Sequence, residues 1–219
     1  MSFDDTGDGD TGPGAVLAVC IGPPSAAGPA VASIAPGAVV NTWSPEGDGK
    51  PAAAEAAAVR FPFAAGWIGG ALDTGTGELT GGNLPANAKA ERIETGASEG
   101  EWVLTLPGLE AHRDGVLLVA GADGGDNIVG AAPLADGTGW QIRVADESHN
   151  FGTEEDGRAA FVFVPFAADV RAAGHIAEDG TLTASAGSLG VRKTGTGRYE
   201  IAIPGTTGDT GFVLASVAK

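Results

Sequence analysis

Two stretches of this 219-residue chain say nearly the same thing. Val59-Arg-Phe-Pro-Phe63 opens a segment that closes with Gly100-Glu-Trp-Val-Leu-Thr-Leu-Pro-Gly108, and Val162-Phe-Val-Pro-Phe166 opens another that closes with Gly197-Arg-Tyr-Glu-Ile-Ala-Ile-Pro-Gly205. Self-similarity at a fixed period marks a supersecondary unit that was copied whole. Thr76-Gly-Glu-Leu-Thr80 matches Asp179-Gly-Thr-Leu-Thr183 in the same frame, and Gly14-Ala-Val-Leu-Ala-Val19, Gly115-Val-Leu-Leu-Val119 and Gly211-Phe-Val-Leu-Ala215 are three versions of one strand. The chain therefore reads as an acidic, glycine-rich arm over residues 1–14, one repeat over 15–114 and a second over 115–219. The last strand starts an incomplete third copy.

The repeated segments carry the period of strands. In Trp102-Val-Leu-Thr-Leu106 and Tyr199-Glu-Ile-Ala-Ile203 the large apolar residues fall at every second position, the pattern of a half-buried strand. Asp136-Gly137, Asp179-Gly180 and Pro107-Gly108 lie between such runs, where glycine accepts the positive φ that tight turns demand. With 37 Gly and 13 Pro, long helices have little room. Ala52 to Ala58 is the one helix candidate, and its counterpart from Ala159 to Phe163 has the composition of a strand. About eight short strands per repeat is the signature of a β-sandwich or jelly roll. The expected fold is all-β: two tandem duplicated, jelly-roll-like β-sandwich units.

Charge narrows the partners. Twelve basic residues against 28 acidic ones give a net charge of −16, a surface that repels phosphate backbones and anionic lipid heads. Nucleic acid is not expected, and no apolar run approaches membrane-spanning length. The first residues, Met-Ser-Phe-Asp-Asp, have neither the basic nor the apolar region of a classical signal peptide. A single cysteine, Cys20, makes no internal disulfide and sits in an apolar run as a small hydrophobe. The arm has the composition of a mobile tail, or of an anchor that docks on a partner subunit.

Few residues suggest chemistry. His112, His149 and His175 fall in separate turn-like contexts, and no nucleophile elbow, phosphate loop or paired metal-ligand spacing is present. His149, in Asp146-Glu-Ser-His-Asn150, is the best single candidate for binding, because nearby carboxylates raise an imidazole pKa or share a metal with it. Calcium favours oxygen-rich loops, which makes Asp8 and Asp10 in the arm, and Asp123 and Asp126 around Gly124-Gly125, the candidate ligands. No acidic residue stands at the far end of the Asp8-Gly-Asp10 loop to complete a cage. Trp43 closes a polar strand just before a loop, a placement that suits stacking on a sugar or packing against its neighbours. Trp102 and Tyr199 are equivalent in the two copies, which favours a shared core role.

The order Gly-x-aromatic-x-apolar-x-apolar-Pro-Gly, then Gly-Val-Leu-Leu-Val, then Asp-Gly-x-Gly-Trp over residues 60–219 resembles tandem β units of bacterial surface proteins and bacteriophage fibre or spike proteins. That resemblance implies a stalk, adaptor or receptor-contact role and brings no catalytic residues. The expected function is a non-enzymatic structural or host-binding component of a phage-like particle or extracellular assembly. Its partners would be protein subunits, in a homo-oligomer, and a surface glycan. The alternative is a calcium-dependent or carbohydrate-binding bacterial surface module, with calcium its cofactor.

Overall fold

The computed structural model describes residues 14–21, 31–35, 39–43, 50–51, 53–63, 66–93, 100–146, 156–167, 172–206 and 213–215. Sixteen strands make up their regular structure: β1 (Gly14–Ile21), β2 (Val31–Ala35), β3 (Val39–Trp43), β4 (Glu55–Pro62), β5 (Ile68–Asp73), β6 (Leu79–Asn83), β7 (Lys89–Arg92), β8 (Glu101–Thr105), β9 (Gly115–Gly121), β10 (Ile128–Pro133), β11 (Trp140–Ala145), β12 (Arg158–Pro165), β13 (Ala172–Ile176), β14 (Leu182–Gly187), β15 (Gly190–Gly195) and β16 (Arg198–Ala202). The all-β class expected from the alternation holds. Of the helix candidate Ala52 to Ala58, the part from Glu55 onward is the start of β4, which pairs along its length with β1 so that Ala56 lies opposite Cys20 and Pro62 opposite Gly14. Ala53 and Ala54 precede it as irregular chain. Among the described residues no helix is long and apolar enough to cross a membrane.

Two larger sheets organise the molecule. One has six strands in the order β3-β2-β9-β12-β5-β6, and the other has four, β10-β11-β8-β7. All pairings are antiparallel except that of β2 with β9, a parallel bridge between Ser33 and Gly121. Both sheets mix strands from either side of residue 115, so β12 is flanked by β9 and β5, and β11 by β10 and β8. Each of the remaining ribbons, β1-β4, β13-β14 and β15-β16, has two strands.

Burial explains why β9 and β12 read as near-continuous apolar runs. A strand covered on both faces has no polar face to show, and β12 (Arg-Ala-Ala-Phe-Val-Phe-Val-Pro) buries six consecutive residues. Its Phe161 and Phe163, with Leu117 and Val119 of β9, join Trp102, Leu104, Trp140, Ile142 and Val144 of the four-stranded sheet in one core. Its Val162 and Val164, with Val116 and Ala120, face the other way and meet Ala15 and Leu17 of β1. Phe61 stands edge-on to Trp67 at 5.2 Å beside that second core, as Trp140 does to Phe163 at 5.6 Å in the first. By contrast β8 and β11 alternate buried and half-exposed residues, as strands covered on one face do.

The C-terminal hairpins attach lightly. Nε2 of His175 donates to the Gly115 carbonyl at 3.1 Å, and its ring meets Phe166 edge-on at 6.4 Å. Of the expected closing strand over 211–217, residues 213–215 are described. They run as irregular chain, and Leu214 and Ala215 face Leu17–Val19 and Leu118–Val119 across a cavity of about 10 Å³, the room of one water molecule.

Candidate functional site

Three loops and one strand end meet where β5 and β9 finish and β12 begins. Asp73 ends β5 and folds the next residues over its own carboxylate: Oδ1 accepts the N–H groups of Gly75 and Thr76 at 3.0 and 2.9 Å and the Thr76 hydroxyl at 3.0 Å. This is the local bonding by which aspartate closes a turn. Thr74, wholly buried, is thereby aimed at Gly157. Its N–H donates to the Gly157 carbonyl at 2.8 Å, and its hydroxyl accepts the Gly157 N–H at 2.7 Å. The Thr74 carbonyl in turn accepts the indole N–H of Trp102 at 2.9 Å, and Arg92 lies over that indole at 5.6 Å while pairing with Asp156 at 2.8 Å. A cation on an aromatic face and a carboxylate beside it hold one another in place.

The second half of the site is the Asp123–Asn127 loop. Asp123 Oδ1 accepts the Gly125 N–H at 2.9 Å, and its other oxygen accepts the Arg158 N–H at 3.4 Å. Ser33 donates to the Gly125 carbonyl at 2.6 Å, Asn41 donates to the Gly124 carbonyl at 2.9 Å, and the Trp43 indole donates to the Ser33 hydroxyl at 3.3 Å. Sequence candidates far apart in the chain are thus brought together: Trp43 reaches the loop that carries Asp123 and Asp126 through Ser33. The indole N–H of Trp43 and both oxygens of Asp123 serve as bonds within the fold. Among the described residues, no three His, Cys, Asp or Glu converge as ligands for one ion. Asp8, Asp10 and His149 lie outside the described residues.

Sequence reasoning missed Ser33, Asn41, Thr74 and Arg92. Ser33 had a readable signal, since it is the one polar residue of Val-Ala-Ser-Ile-Ala and is fully buried. A buried hydroxyl needs a partner, and the Gly125 carbonyl is it. Thr74 gave no such signal, because it stands in the polar turn Asp73-Thr-Gly-Thr76, where a hydroxyl is ordinary.

Titration adds one pH-dependent contact away from the loops. Burial pushes the His175 imidazole below its ordinary value, against the opposing pull of the Gly115 carbonyl. The unfolded chain therefore binds a proton more readily than the folded one. Stability from this contact is whole above about pH 6.5 and is lost as the pH falls through the folded-state value. In His175→Gln the fall in Tm between pH 7.5 and pH 5 should be smaller than in the parent chain, as followed by circular dichroism. Equal falls would remove His175 from the balance.

Comparison with protein-family models, curated proteins and solved structures returned no match.

Proposed function

We propose that the chain is a non-enzymatic structural component of a phage-like particle or extracellular assembly, built by internal duplication of a β-sandwich-like unit. The observation that carries the duplication is a repeated pairing register. β1 pairs β4 with Gly14 opposite Pro62, and β9 pairs β12 with Gly115 opposite Pro165, so both ribbons start from a glycine facing the proline of a matching motif. β2-β3 and β10-β11 follow as hairpins in the same places, and so do β5-β6 with β13-β14 and β7-β8 with β15-β16. Trp102 donates to the Thr74 carbonyl, and the equivalent Tyr199 donates to the Glu178 carbonyl at 2.9 Å. Gly77 and Gly180 both take positive φ, +78° and +92°, at the turn beneath.

On this reading the sequence repeat and the folded unit are out of phase. The second half of repeat one (β5–β8) shares sheets and core with the first half of repeat two (β9–β12), and a half-unit flanks them on each side. Such an array suits a load-bearing or spacing part, because its main joint, β5–β8 with β9–β12, is made between repeats. The polar loop end, with Arg92, Asp123, Asp156 and Arg158 at its rim, is the surface a receptor or subunit would meet.

Immunogold electron microscopy of the producing cells and of the particles they shed tests the assignment. Label on the outside of particles or cells is expected. Label confined to the cell interior would overturn it.

A further inference from the structure

One joint between half-units is complete in the described chain, and the two halves of another stand open. In the complete joint β5 lies beside β12, with Gly69 opposite Val162 and Ala71 opposite Ala160, and β8 lies beside β11, with Leu104 opposite Trp140. Behind these pairings Leu72, Trp102 and Leu104 share a buried core with Leu117, Ile142 and Phe161. β13–β16 has the layout of β5–β8, but among the described residues each of its ribbons stops at two strands. Tyr199 and Ile201 are accordingly only half-buried, where their counterparts Trp102 and Leu104 are 7 % and 0 % exposed. β1–β4 has the layout of β9–β12, and among the described residues no strand lies on the edges that β12 and β11 use in the complete joint. Among those residues β4 pairs with β1 alone, and β3 ends the six-stranded sheet, with Trp43 bridging Pro51 at one tip. Open edges are templates for pairing with another chain, and a lone two-stranded ribbon is marginal in water.

We infer that β13–β16 of one copy docks on β1–β4 of a second copy of this chain, repeating the internal joint. Carried over from the complete joint, the register sets Ala172 opposite Val59 and Gly174 opposite Ala57 between β13 and β4. It sets Ile201 opposite Val39 between β16 and β3. The occupant is another copy because the chain itself carries the complementary half, with the same ribbon register and the same two edges open. The new pairing continues an interface already built inside the molecule. Such a contact is heterologous: each docking leaves β1–β4 free on one copy and β13–β16 free on the other, so copies add head to tail into a ring or a filament. The inference rests on the duplication proposed above but not on where the protein resides, so this test and the labelling experiment fail separately.

Two single-cysteine chains in a Cys20→Ser background, Val59→Cys and Ala172→Cys, are mixed and treated with a short bis-maleimide, alongside light scattering of the parent chain over a hundredfold range of concentration. The expected result is a mixed crosslink between the two chains and a mass that rises with concentration to multiples of one chain. Ile201→Lys, which charges the inner face of β16, should lower the association at least tenfold while keeping the parent's circular dichroism. The crosslink reads docking even if that variant fails to fold. A single-chain mass at every concentration without mixed crosslink would overturn the inference. So would a crosslink formed within one chain carrying both cysteines, or oligomers that persist in folded Ile201→Lys without the mixed product.

Discussion

Trp140→Ala should lower the stability of the chain by about 3–5 kcal/mol, the usual cost of deleting a large aromatic from a closed core. Trp140 is fully buried, packs edge-on against Phe163, and sits where β11 crosses from β10 to β8. Its loss empties the contact between the two larger sheets. For a domain whose whole stability is of order 5–15 kcal/mol, that is a large share. The expected observation is a urea midpoint shifted far down with a similar slope. Trp140→Phe should cost far less than the alanine change. The indole N–H of Trp140 has no acceptor within reach among the described residues, so phenylalanine discards an unsatisfied donor together with part of the ring. Near-equal costs for the two variants would show that the ring's volume is not what holds the sheets together.

A comparable loss is expected from one methyl group at Gly82. Gly82 has φ of +87°, and a Cβ there would overlap the carbonyl oxygen of Gly69 on the neighbouring strand β5. The left-handed backbone alone costs a side chain about 1–2 kcal/mol, and forcing backbone apart adds about 1–3 kcal/mol more. Gly81, one residue earlier, is the internal control: its φ is +64°, but a Cβ there meets nothing within 4 Å. Gly81→Ala should lose only the backbone part. Thermal melts of the two variants side by side measure the difference, and equal losses would mean that the Gly69 contact relaxes freely. The irregular register between β5 and β6 is the visible result of this close approach.

How much of this was legible beforehand depended on the range of each signal. Alternation in Trp102-Val-Leu-Thr-Leu106 showed which side chains point inward, but of the two residues expected to share a core role Trp102 alone is buried in a core, Tyr199 being half-buried. What they have in common is a bond donated to a turn carbonyl. Alternation is silent about which strand lies alongside. Nothing in β5 states that its neighbour is β12 rather than a strand nearer in the chain, because Ile68–Asp73 presents glycine and alanine to either equally well. The alanine-rich start of β4 left both states open: alanine favours helix in isolation, its counterpart from Ala159 to Phe163 has the composition of a strand, and pairing with β1 decides for the strand. Trp43, Asp123 and Asp126 stand out in the sequence for separate reasons. What unites them is Ser33 and Asn41, whose bonds to the Gly124 and Gly125 carbonyls span 83 residues or more.

β12 is central because six of its residues in a row are buried on two faces, and that has a cost when the chain is not folded. Ala-Ala-Phe-Val-Phe-Val is uncharged and rich in β-branched and aromatic residues, the composition of segments that stack into dry cross-strand zippers. Arg158 before it and Pro165 at its end act as gatekeepers, one by charge and one by withholding a backbone N–H. The strand that both cores depend on is therefore also the segment most exposed to misassembly during synthesis. The −16 charge around it keeps unfolded chains apart until β9 and β5 have closed over it.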